Sequence, residues 1–87
     1  MKNIAIKFNN KEEYEYIENI LLKNGFRWIG NKMHEKHPYF NILTFSKYFL
    51  ICNKIIYLSS EAGITNSNYI IVDDVSFFIE SRKMGLF

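Results

Sequence analysis

Residues 48–52 read Tyr-Phe-Leu-Ile-Cys, five apolar side chains in succession. Side chains of a strand alternate between faces, so Tyr48, Leu50 and Cys52 point one way and Phe49 and Ile51 the other. An antiparallel sheet with one wet face alternates apolar and polar residues, whereas this segment has two dry faces and needs two covers. The flanking pairs Ser46-Lys47 and Asn53-Lys54 are of hairpin length. They join it to two further short apolar segments, residues 39–45 and 55–58. Three such strands in a row predict an antiparallel meander. One helix can cover one face. The second face needs the C-terminal helix or another protein molecule, and a homo-oligomer is the expectation drawn from it.

The rest of the chain supplies the helices. Residues 3–8 alternate, with Ile4, Ile6 and Phe8 on one face, and predict a strand with one buried side. Asn10 followed by Glu13 is a capping-box start. From Lys11 to Asn24 the residues Tyr14, Ile17, Ile20, Leu21 and Asn24 share one stripe, which predicts an amphipathic helix. Gly25 is its stop. Residues 26–29 read as a strand, Gly30-Asn31-Lys32 as a turn, and residues 33–37 are polar and ambiguous before Pro38. Residues 59–68, rich in Ser, Asn and Gly, form a long loop, read equally as a binding loop or a plain solvated connection. Residues 69–72 return as a strand, Asp73 caps a short final helix, and Val75, Phe78 and Ile79 form its apolar side. The fold class expected is α+β in one domain over residues 1–87: an N-terminal strand and helix, an antiparallel β-meander and a short C-terminal helix.

Charge and composition narrow the functions. Nine acidic against eleven basic residues give a net charge of +2. That balance argues against general DNA binding, which favours a strongly basic face. The longest apolar run, residues 48–52, falls far short of the roughly 18–20 residues that cross a bilayer, so no membrane partner is expected. A single cysteine, Cys52, forms no internal disulfide, and no signal-peptide pattern is visible, so a reducing cytoplasm is the expected home. Eight Phe, six Tyr and one Trp on 87 residues mean either an aromatic core or rings on a surface that meets a partner.

No catalytic constellation stands out. Cys52 lies in an apolar strand, where a thiol is usually inert. Asp73 and Asp74 are accounted for as helix N-terminal residues. His34 and His37 are three residues apart with Pro38 next, unlike the four-residue spacing that puts two zinc ligands on one helical face. The expectation is a non-enzyme with no cofactor and no metal. The cluster that invites a function is Arg27-Trp28 followed by Lys32, His34, Lys36, His37 and Tyr39. Cations donate to phosphate and aromatic faces stack on bases. On a strand Arg27 and Trp28 point to opposite faces, so both line one pocket only across a subunit interface. The plain alternative is that Trp28 is core, Arg27 is solvated and the lysines aid solubility.

The segment Leu22-Lys23-Asn24-Gly25-Phe26-Arg27-Trp28-Ile29-Gly30 resembles one found in many small uncharacterised phage proteins. In these a leucine is followed by glycine, an aromatic residue, tryptophan and glycine at the same spacing. Those proteins also begin with a strand and helix like residues 4–24, and end with segments like Tyr69-Ile70-Ile71 and Phe77-Phe78. The resemblance implies a phage or prophage origin and a βα-plus-meander fold, and supplies no catalytic residues. Small phage proteins are commonly immune-evasion factors acting in the host bacterial cell. The function expected is therefore a homo-oligomer that sequesters a nucleotide second messenger at a subunit interface. Arg27, Lys32, His34, Lys36 and Arg82 would grip phosphates, and Trp28 and Tyr39 would stack on bases. The alternative is an anti-CRISPR-type inhibitor that binds a host defence protein such as a Cas effector.

Overall fold

The computed structural model describes residues 3–37, 47–60 and 69–85. Strand β1 (Ile4–Lys7) leads to helix α1 (Lys11–Lys23). The helix starts where the sequence directs it. Asn10 sits in extended backbone and its side chain accepts the Glu13 N–H at 2.9 Å, while the Glu13 carboxylate reaches back to the Asn9 N–H at 2.9 Å. Its end is a Schellman turn: Phe26 N–H donates to Leu21 C=O at 3.0 Å, and Gly25 N–H to Leu22 C=O at 3.3 Å. Gly25 has φ +89°, a left-handed conformation that glycine adopts without Cβ strain. The turn tucks Phe26 into the core.

Four further strands and one helix follow: β2 (Arg27–Trp28), β3 (Tyr48–Cys52), β4 (Ile55–Ser59), β5 (Ile70–Val72) and α2 (Val75–Lys83). The hairpin link between β3 and β4 is Asn53-Lys54, with Asn53 at φ 60°. Helix α2 begins one residue later than the sequence suggests, with Asp74 as the capping residue accepting the Ser76 N–H at 2.8 Å. The predicted strand at residues 39–45 and most of the predicted loop at 59–68 lie outside the described residues.

The α+β class holds, but the sheet is mixed and is not a purely antiparallel meander. Its strand order is β2-β4-β3-β1-β5. β3 pairs antiparallel with both β1 and β4, while β1 with β5 and β2 with β4 are parallel. Hence β3 alone runs against the other four. The reason is connectivity. A parallel pair needs a crossover, and α1 provides one by carrying the chain from β1 to β2 at the far edge. The β3–β4 hairpin then fills the gap between them.

Both helices pack on one face. Ile4, Ile6, Trp28, Phe49, Ile51, Ile56 and Val72 from the sheet join Tyr14, Ile17, Leu21 and Leu22 of α1 and Val75, Phe78 and Ile79 of α2 in one core. Rings dominate its centre: Phe49 lies 5.2 Å from Phe8, 5.0 Å from Tyr14 and 5.6 Å from Trp28. So α2 does not cover the second sheet face. There Ala5 and Tyr48 form a small buried cluster with Leu50 and Tyr69 against it. No helix among the described residues is long and apolar enough to cross a membrane.

Candidate anion cleft

The residues picked out in the sequence do not converge on one pocket. Trp28 faces the helices and is 3% exposed. Tyr14, Phe49 and the His37 ring surround it, and its indole N–H donates to Glu18 Oε2 at 2.7 Å. Its faces are taken by the protein, so Trp28 is a core residue and not a platform for a base. Arg27 projects from the opposite side of β2 and is exposed. Lys32, His34 and Lys36 are exposed on the 29–37 loop, where His34 takes φ 64°. Tyr39 lies outside the described residues. Arg82 is in the last turn of α2, next to a different set of neighbours.

The 29–37 loop is held from beneath by α1. Glu18, buried at 3% exposure, accepts both the Trp28 indole and the His37 backbone N–H, the latter at 2.8 Å. Tyr14 donates its hydroxyl to His37 C=O at 2.7 Å. Burial pushes the Tyr14 phenol well above its usual range, and the nearby Glu18 carboxylate pushes it further. The sequence reading missed Glu18, although a signal exists. Tyr14, Glu18 and Leu22 are spaced by four and share one side of the helix, so a carboxylate there must find donors inside.

Arg82 belongs to a cleft of about 230 Å³ lined by Asn24, Phe26, Lys54, Ile79, Arg82 and Lys83. The Schellman turn sets its floor by placing the Phe26 ring at the C-terminal end of α1. Lys54, from the β3–β4 turn, holds its ammonium 4.8 Å from that ring's centroid and donates to Asn24 C=O at 3.3 Å. The Arg82 guanidinium lies 5.1 Å from the same ring. Cations near an aromatic face and near helix C-termini are favoured. Those two effects account for where Lys54 and Arg82 sit, and they leave both positive charges at one cleft. The one ion pair among the described residues takes Lys83, 3.7 Å from Glu80 and largely exposed. Lys54 and Arg82 have no carboxylate partner there, so the cleft is locally cationic with an apolar floor. Such a site suits an anion, most naturally a phosphate, which Arg and Lys engage through charge-assisted hydrogen bonds.

Among the described residues no three His, Cys, Asp or Glu side chains are grouped to hold a metal ion. No family model, curated protein or solved structure matches the chain.

Proposed function

We propose that the chain is a non-enzymatic binding protein that holds a phosphate-bearing ligand of nucleotide type in the cleft between Lys54 and Arg82. The observation that carries this reading is the pair of cations over the Phe26 ring, without carboxylate partners among the described residues. At about 230 Å³ the cleft is smaller than the roughly 300–1,000 Å³ that encloses a drug-sized molecule. It would therefore grip the phosphate end of a ligand and leave the rest outside. Retention requires affinity and no bond-making, which fits a chain with no paired nucleophile and base in its sequence.

The biological setting attached to this binding is sequestration of a nucleotide signal to evade bacterial immunity. It rests on the resemblance of residues 22–30 to phage proteins. The homo-oligomeric part rests on the sheet face that neither helix covers. Arg27, Lys32, His34 and Lys36 are exposed but do not line this cleft, and Trp28 is buried in the core.

The test is native mass spectrometry and calorimetry at low salt with inorganic pyrophosphate, mononucleotides and cyclic oligonucleotides. A retained compound is expected. The double variant Lys54→Gln, Arg82→Gln should bind it about 100-fold or more weakly, the loss expected from two charge-assisted hydrogen bonds worth roughly 1.5–3 kcal/mol each. Silence across the panel, or unchanged binding in the double variant, removes the reading.

A further inference from the structure

Among the described residues β5 ends the sheet, and its outer backbone is open. The parallel register pairs Ile4 with Ile70 and Ile6 with Val72, and Ile70 N–H donates to Asn3 C=O at 2.9 Å. In such a ladder Ile70 and Val72 turn their N–H and C=O toward β1, so Ile71 turns both of its groups outward. Its side chain is 52% exposed, on the face away from the helices beside Ala5. Around it Ile70 and Phe77 are 38% and 58% exposed and line one cleft with it. Natural edges are usually blunted by lysine, proline, a bulge or an inward charge, and residues 69–72 carry none of these side chains. An apolar edge with free donors and acceptors is built to receive a strand.

We propose that the receiving strand is β5 of a second copy, joined antiparallel about a two-fold axis at Ile71. Three features select this occupant and this geometry. The outward N–H and C=O of one Ile71 complement those of its twin, so one residue type makes both hydrogen bonds of a closed, isologous pair. A parallel ladder is staggered, each residue bonding two different partners, and has no such two-fold symmetry. Charge agrees: Asp73 and Asp74 follow β5 directly, and antiparallel pairing sends the two acidic ends apart where parallel pairing would set them side by side. Ile70 then faces the second copy's Val72 on the helix side, and the two Ile71 side chains meet on the other face. The result is one continuous ten-stranded sheet made from two five-stranded ones.

This inference concerns the open edge of the sheet, whereas the oligomeric part of the proposed function rests on its uncovered face, and it is independent of the anion cleft. Light scattering and sedimentation equilibrium of the full chain, without ligand, should give a dimer. Ile71→Lys places two ammonium groups across the axis and should weaken dimerisation roughly 100-fold or more, as like charges across an interface do, while the far-ultraviolet dichroism stays unchanged. A separate positive arm uses Ile71→Cys on a Cys52→Ser background. Hydrogen-bonded antiparallel partners sit about 5.5 Å apart at Cα, so a short thiol-reactive bifunctional reagent should join the two introduced thiols and give a cross-linked dimer. A monomeric parent chain, a dimer that survives Ile71→Lys, or a dimer whose Ile71→Cys variant does not cross-link each overturns the proposal. A monomer that binds pyrophosphate sinks this inference and leaves the cleft standing; a β5 dimer that binds no anion does the reverse.

Discussion

One carboxylate oxygen, Glu18 Oε2, receives the Trp28 indole N–H at 2.7 Å and the His37 backbone N–H at 2.8 Å. A helix residue thus ties a strand and a loop together. Glu18→Leu would strand two donors in an apolar site and should destabilise by about 2–4 kcal/mol. Glu18→Gln keeps an acceptor at the same place and should cost about 1 kcal/mol or less. Urea denaturation of the two variants checks the contrast; equal losses would show that the carboxylate acts through its charge and not as a shared acceptor.

Tyr14 makes stability depend on alkaline pH. Its phenol titrates higher in the folded chain than the unfolded value near 10, because burial and Glu18 both disfavour the phenolate. The unfolded chain therefore gives up this proton first, and stability is fully present below about pH 10 and falls as pH rises above it. Tyr14→Phe should lose about 1 kcal/mol at neutral pH, from the hydrogen bond to His37 C=O, yet lose less than the parent on going from pH 9 to pH 11. Melting curves across that interval give both numbers.

Gly25 is a backbone requirement. A Cβ there would meet only Lys54 Nζ at 3.5 Å, an ordinary contact, so space is not the obstacle. The left-handed φ of +89° is, and Gly25→Ala should cost about 1–2 kcal/mol. Gly25→Asn, which tolerates that region better, should recover part of it by chemical denaturation.

Lys54→Gln separates binding from stability. Lys54 is exposed, so the folded state should change by about 0.5 kcal/mol or less. Pyrophosphate affinity should fall, and the affinity of the parent should fall as salt is raised, since the attraction is between solvent-exposed charges. Salt-independent binding would place the ligand elsewhere.

Local signals wrote most of the elements. The Asn10 cap, the Gly25 stop, the Asn53-Lys54 link and the apolar run at 48–52 each act through neighbours in sequence, and each is found where the pattern puts it. Strand partners are chosen at long range, and nothing near Ile4 or Arg27 states that their segments will lie parallel to β5 and β4. The same gap affects the site. Trp28 looks like a stacking platform until α1 is laid over it, and Lys54 gives no sign of meeting Arg82 until the hairpin and both helix ends come together. Glu18 was hidden by its own polarity, because a search for apolar stripes passes over a buried acceptor.

The place of β1 between β3 and β5 has a consequence in time. A ribosome delivers Ile4 first, yet its partners Ile51 and Ile70 come much later. The segment that becomes this inner strand is therefore made long before either of its neighbours exists. Pairings so distant in sequence close slowly. Until residues 48–52 and 70–72 have been made, the segment that becomes β1 has neither of its partners and stays open to pairing with other strands.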